Sequence, residues 1–244
     1  KDRIERENAE LPTLWPYDKV VPFEQRQCRI LRKKITASLV NKLRVRARAE
    51  KTTVNAALNA AVALSALAYR QAPIEKLMLA VPICMRQYCN PPLSRDHMGN
   101  LISYLCIELP VNQQTNFWQF ARDYRQQFDD RFDDNVYFPE HAEVTYMSEN
   151  QVKHSSEHEG CAMMFCALTN AGVMDFKPQY GRFILKGFSY TATIRSGTML
   201  MLMSATTVND EMFCDFSYIA PMTPDEDMTG LVEYLMNTLE QAVK

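Results

Sequence analysis

Residues 77–110 read LMLAVPICMRQYCNPPLSRDHMGNLISYLCIELP, and this stretch decides how the chain is understood. The run Leu77 to Cys84 is continuously apolar, the pattern of a central strand covered on both faces. Met85-Arg86 and a polar, proline-containing connection follow. Gly99-Asn100 then opens a second apolar run to Leu109. On residues alone this is two buried strands joined by a loop.

Upstream, residues 1–25 are polar and then proline-rich, with Pro12, Pro16 and Pro22 around Trp15 and Tyr17. That spacing forbids a regular helix and predicts an extended strap. Gln27 to Ile35 reads as a strand with one polar face. Thr36 caps a helix running to Ala49, and Thr52 or Thr53 caps another running to Arg70. The second helix is apolar nearly all round, which predicts burial between other elements. Its Asn55 and Asn59 stand one turn apart, and buried amides need partners.

Downstream, Phe117, Ala121, Tyr124 and Phe128 keep helical spacing over Asn116 to Phe132. Asp133 to Gly160 reads as a loop or short helical excursion. Strands are expected over Ala162–Leu168, Arg182–Lys186, Phe188–Thr193, Thr198–Thr207 and Glu211–Tyr218. The last two form a hairpin through Val208-Asn209-Asp210. Thr223-Pro224-Asp225-Glu226 predicts a capping box opening a terminal helix whose inner face carries Met228, Leu231, Leu235 and Leu239. The order predicts an α/β (α+β) fold: one two-layer domain over residues 26–244, with a mostly mixed sheet and helices largely on one face.

Composition narrows the function. The 244 residues carry a net charge of -2, which gives no general attraction to nucleic acid. No apolar run approaches the roughly 20 residues that span a bilayer. The seven cysteines are scattered without a C-x-x-C pair. They read as buried free thiols in a reducing, cytoplasmic setting, with no zinc site. His154 and His158 stand four apart as metal-binding pairs do, but without a third ligand they read as solvated.

Four segments in order resemble the C-terminal lobe of the chloramphenicol-acetyltransferase-like superfamily. They are Thr53-Val54-Asn55-Ala56-Ala57-Leu58, Val81 to Arg86, Gly99-Asn100 opening a strand, and Ala167-Leu168-Thr169-Asn170-Ala171-Gly172. That superfamily includes alcohol acetyltransferases, polyketide-associated acyltransferases, wax ester synthases and condensation domains. The resemblance covers residues 27–243 and stands nearest the alcohol-acetyltransferase and polyketide-associated branch.

The resemblance implies an acyltransferase of two lobes with a tunnel between them. The acyl donor is a thioester of coenzyme A or of an acyl carrier protein, used as co-substrate with no covalently bound cofactor. The acceptor is a small alcohol or amine. A histidine of an H-H-x-x-x-D motif in the first lobe is the general base. Of His97, His141, His154 and His158, none follows another His or precedes an Asp by four residues, so no catalytic residue is expected in this chain. The expectation is a C-terminal lobe, inactive alone, with residues 1–25 as a strap from a missing N-terminal lobe. Its exposed lobe interface would favour self-association. The alternative is a binding or scaffolding lobe that has lost catalysis.

By the same resemblance, Gly99, Asn100, Ser103, Thr169 and Asn170 line the tunnel. Gly99-Asn100 and Thr169-Asn170 are equally readable as turns at strand ends. Arg86 and Gly172 are expected to fix loops, Arg86 through a carboxylate such as Asp96.

Overall fold

The computed structural model describes residues 15–69, 75–94, 96–133, 160–162 and 164–244. The strands are β1 (Trp15–Pro16), β2 (Gln27–Ile35), β3 (Lys76–Cys84), β4 (Ile102–Pro110), β5 (Cys161–Ala162), β6 (Met164–Val173), β7 (Gln179–Tyr180), β8 (Phe183–Ile184), β9 (Met199–Val208) and β10 (Glu211–Ala220). The helices are α1 (Ala37–Ala49), α2 (Val54–Tyr69), α3 (Phe117–Asp133) and α4 (Asp225–Gln241).

Six strands form one sheet in the order β2-β10-β9-β6-β3-β4. The pairs β3–β6 and β6–β9 are parallel, and the outer pairs are antiparallel. Through the middle of the sheet one register connects all six strands. One rung is Ile107–Leu79–Cys166–Met201–Tyr218–Arg29, and the next is Cys106–Ala80–Ala167–Leu202–Ser217–Ile30. Successive side chains point to opposite faces, so the two rungs sample the two sides of the sheet.

The first rung faces the helices. Ile107, Leu79, Cys166, Met201 and Tyr218 are all buried there. α2 packs against α3 and α4, and Tyr218 donates through its hydroxyl to Asp225 of α4 at 2.7 Å. The alanines of α2 explain how three helices share one sheet face. Ala56, Ala57, Ala60, Ala61 and Ala63 are fully buried, and their small side chains allow close axial approach. Met201 and Met203 belong to this core.

The second rung faces away. Residues 188–194 cross its centre on side-chain hydrogen bonds: Thr206 donates to the Phe188 carbonyl at 2.6 Å, and the Thr191 and Ser217 hydroxyls meet at 2.7 Å. The β4 edge of this face is open, with Ile102, Tyr104, Cys84 and Cys106 exposed. β3 is therefore covered fully on one face only, one strand in from the edge. Only Cys166 and Cys214 of the seven free thiols are buried. The exposed cysteines correct the expectation of buried thiols, because the apolar runs that carry them form an uncovered sheet edge.

Local signals hold at several points. Thr36 Oγ1 accepts from the Leu39 amide at 3.4 Å, and Thr53 Oγ1 accepts from the Ala56 amide at 3.1 Å. Asn209 and Asp210 have φ of 51° and 63°, the pair of left-handed conformations that a two-residue hairpin turn demands.

Two expectations fail. Only Phe183–Ile184 of the 182–186 run is a strand, and 188–193 is a strap. Its polar residues find partners on the sheet below and need no neighbouring strand. The capping box of α4 does not form either. Pro224 is the N-cap, Thr223 Oγ1 is buried without a hydrogen-bond partner, and Asp225 is engaged by Tyr218 and Arg29. The expected insert over residues 133–160, with His141, His154 and His158, lies almost wholly outside the described residues, as does Arg70.

Trp15, Tyr17 and Val21 of the proline-rich strap are buried on the lobe. β1 pairs with β5, and the Tyr17 hydroxyl donates to the Met199 carbonyl at 2.8 Å. No single helix among the described residues is long and apolar enough to cross a membrane.

Candidate functional site

The C-terminal ends of β3 and β6 carry the expected site residues. At the end of β6 the ladder with β9 shifts register between Asn170 and Val173, a bulge that bends the strand out of the sheet. Two features build it. Asn170 Oδ1 accepts from the Gly172 amide at 2.9 Å, closing a local turn. Gly172 sits at φ +73°, a conformation that favours glycine.

Asn170 and Thr169 point to opposite faces. Asn170 Nδ2 donates to Asn55 Oδ1 at 3.3 Å, in the helix layer. Thr169 shares a hydrogen bond with the Tyr190 hydroxyl at 2.8 Å, beneath the strap on the other face. Burial pushes the Tyr190 phenol up, with the Thr169 hydrogen bond opposing it.

Asn55 is the centre of a partly buried polar group. Its Nδ2 reaches the Tyr124 hydroxyl of α3 at 3.5 Å, and its backbone carbonyl accepts from Asn59 Nδ2 at 3.0 Å. Burial dominates the upward shift of the Tyr124 phenol, so this hydroxyl stays protonated. Asn59 Oδ1 is buried without a hydrogen-bond partner. Three elements, α2, α3 and β6, thus converge on one amide. Sequence reasoning flagged Asn55 as needing partners but did not connect it to Asn170. The usable signal was an Asn in the first turn of an otherwise apolar helix. Tyr124 and Tyr190 carried no signal of their own.

The loop after β3 is closed by Arg86. Its guanidinium donates to the His97 carbonyl at 2.9 and 3.2 Å and reaches the Gly99 carbonyl at 3.4 Å. The partners are these loop carbonyls and the Cys84 sulfur at 3.5 Å, and not the expected Asp96. The Met85 amide donates to the Leu101 carbonyl at 2.8 Å, which zips the loop at its base. Gly99 takes φ +152°, and Gly99 and Asn100 are exposed on the rim. Ser103 pairs with Ile83 in the ladder. Carried four residues on from Leu79–Cys166, the register puts Asn170 level with Ile83, so Ser103 and Asn170 flank the same end of β3.

His97 is a member of this loop. Its Nδ1 accepts from the Ser94 amide at 3.2 Å and meets Ser94 Oγ at 2.9 Å. An acceptor Nδ1 leaves the ring proton on Nε2 of the neutral form. The contact is a local turn three residues long. Among the described residues, no group of His, Cys, Asp and Glu has the arrangement of a metal site.

The site therefore offers polar groups around the ends of β3 and β6, beside an exposed apolar sheet edge. It has fixed backbone turns and hydroxyls, but no histidine oriented by a carboxylate among its described residues.

Comparison with known proteins agrees with the architecture. No curated protein sequence matches the chain. Among solved structures, the EpoB NRPS cyclization-docking bidomain from Sorangium cellulosum superposes with a TM-score of 0.71 at 15% identity, over 100% of this chain and 48% of the other. TRI3 trichothecene 15-O-acetyltransferase from Fusarium sporotrichioides gives 0.74 at 9% identity, over 100% and 52%. Polyketide synthase associated protein 5 from Mycobacterium tuberculosis gives 0.63 at 15% identity, over 87% and 53%. At these identities the likeness is one of fold, and the chain spans about half the length of each. A family model, phthiocerol/phthiodiolone dimycocerosyl transferase C-terminus, matches residues 24–222. The chain has the fold of the C-terminal lobe of chloramphenicol-acetyltransferase-like enzymes, and it belongs to the phthiocerol/phthiodiolone dimycocerosyl transferase C-terminus family.

Proposed function

We propose that this chain is the second lobe of an acyltransferase that moves an acyl group from a thioester, on coenzyme A or a carrier protein, to an alcohol or amine. The observation that carries the reading is the family match over residues 24–222, joined to a site end that is built but shows, among the described residues, no histidine oriented by a carboxylate. In this reaction a base removes the acceptor's proton as its oxygen or nitrogen attacks the thioester carbonyl. The tetrahedral oxyanion collapses and expels the thiolate, which takes up the proton. The base is supplied by the histidine of an H-H-x-x-x-D motif in a partner lobe.

In this reading the chain supplies a tunnel wall from Gly99, Asn100, Ser103, Thr169 and Asn170. Arg86 and Gly172 hold the two loops on which that wall depends. The partner lobe covers the β4 edge, where Ile102 and Tyr104 are 50% and 59% exposed. Exposed large apolar side chains grouped on one sheet edge are a common sign of an interface. Seven free thiols suit a reducing cytoplasm.

The test is acyl transfer measured by thiol release. Residues 1–244 alone should release thiol from an acyl-CoA no faster than buffer does. The same chain joined to a first lobe carrying H-H-x-x-x-D should transfer acyl groups to an alcohol or amine. Turnover by residues 1–244 alone would overturn the division of labour. A joined protein with an intact motif and no transfer would favour the scaffolding reading, which the absence of H-H-x-x-x-D from this sequence motivates.

A further inference from the structure

A cavity lies at the opposite end of the parallel strands from Asn170, near Phe165 at the start of β6. Asn170 is five residues further on, or roughly 16 Å along the strand. The cavity measures about 620 Å³ and lies between the C-terminal turn of α2 and the first turns of α4. That is within the ~300–1,000 Å³ span of small-molecule sites. Three aromatic residues line it: Trp15, packed 4.7 Å from the Phe165 ring, with Tyr69 and Tyr234. Three carboxylates join them, Asp18, Glu226 and Asp227.

Among the described residues that line the cavity, the charged side chains are these three carboxylates. Among the described residues, none of the three carboxylates makes an ion pair, whereas their neighbour Asp225 is held by Arg29 and Tyr218. The α4 N-terminus contributes only about half a positive charge, too little to balance them. Asp18 and Asp227 both act on the Tyr69 phenol, which burial above all raises to about 12. These charges therefore converge on one aromatic group.

A separate observation concerns the wall. Gly230 lies inside α4 and lines the cavity. A Cβ built on it meets no atom within 4 Å, and its φ is not left-handed. Neither close packing nor backbone geometry requires glycine at this helical position, where glycine is a poor helix former. The absence of a side chain there leaves the cavity wall open.

We propose that this cavity is a binding site for a small organic ammonium ion, its charge met by Asp18, Glu226 and Asp227 and its apolar body by Tyr69 and Tyr234, with the buried Trp15 behind them. Aromatic faces attract alkylammonium groups, and carboxylates add direct charge pairing. The site is independent of the acyl-transfer reading, and its test needs no turnover.

Trp15 is one of two tryptophans, so the Trp118→Phe protein carries a reporter in the cavity wall. Its fluorescence is titrated with propylammonium and tetraethylammonium chloride, with 1-propanol and propionate as controls at matched ionic strength. We expect a saturable change with the ammonium ions and none with the controls. Asp18→Asn with Asp227→Asn should weaken binding about tenfold. Gly230→Leu should abolish it while the far-ultraviolet circular dichroism stays native. Should Gly230→Leu fail to fold, the exposed carboxylate pair still decides the question. An unresponsive Trp15, an equal response to 1-propanol, or undiminished binding in the carboxylate variant would each overturn the proposal.

Discussion

Asn55 of α2 accepts a hydrogen bond from Asn170 of β6 across 3.3 Å, tying the helix layer to the last residue before the bulge. Asn170 also holds the Gly172 amide, so one side chain fixes both the turn and its anchorage. Asn170→Ala removes both bonds and leaves Asn55 Oδ1 without its donor. The expected loss is about 1–3 kcal/mol, read by urea denaturation. Asn55→Ala in the same background should cost less than it does alone, because the two share one interaction. A double-mutant cycle with no coupling would show that the contact carries no energy.

Gly230→Ala should stabilise the protein by about 0.5–1 kcal/mol, seen as a raised thermal midpoint. The added methyl enters open space and lowers the entropy of the unfolded chain. A lowered midpoint would mean that the helix backbone needs glycine there.

The β9–β10 turn offers a similar gain. Asp210 holds φ +63°, and its side chain makes a 3.9 Å contact with Arg44. Asp210→Gly should raise stability by about 0.5 kcal/mol by relieving the left-handed conformation. Asn209 should resist substitution, since its Nδ2 also donates to the Leu185 carbonyl at 3.2 Å.

These cases show what kind of information the sequence carried. Thr36, Thr53 and Asn209-Asp210 act within a few residues of themselves, and the apolar spacing of α3 and α4 is likewise local. All were legible. The strand expected over Phe188–Thr193 is a strap, because its partners, Ser204, Thr206 and Ser217, lie well downstream. The α4 capping box does not form because the helix starts one residue later than expected, with Pro224 as the N-cap and the Thr223 hydroxyl buried without a partner. At the site, the bulge glycine and the loop arginine stood out, but the link from Asn55 to Asn170 spans 115 residues. No periodicity encodes such a pairing.

Alkali should unfold the lobe through its buried thiols. Burial pushes Cys166 and Cys214 from 9.0 up to about 12, with Asp215 adding to the shift at Cys214. From pH 9 upward the unfolded chain releases these protons while the folded chain keeps them. Stability is therefore fully present below pH 9 and falls as pH rises toward about 12. Each thiol contributes up to about 1.4 kcal/mol per pH unit in that window. Replacing either by Ala should flatten the pH dependence, whatever its effect on stability at pH 7. An unchanged slope between pH 9 and 11 would exclude this origin.

Thiol labelling can report on the uncovered sheet edge. Cys84 and Cys106 should react quickly with a maleimide under native conditions, and Cys166 and Cys214 only on unfolding. When the chain is joined to a first lobe, Cys106 labelling should slow at least tenfold, roughly the effect of burying a reactive surface group under a stable interface. Labelling that stays equally fast would place the partner lobe elsewhere.

The placement of β2 has a consequence for the order of assembly. In the main sheet it has one neighbour, β10, and its Ile35 pairs with Met212, 177 residues later (212 − 35). A ribosome must therefore deliver nearly the whole lobe before β2 can enter the sheet. Pairing over such a separation carries a large loop-closure cost and slows folding. Shortening the chain from its far end by the β9–β10 hairpin would strand β2 along with it, so deletions at one end should be felt at the other.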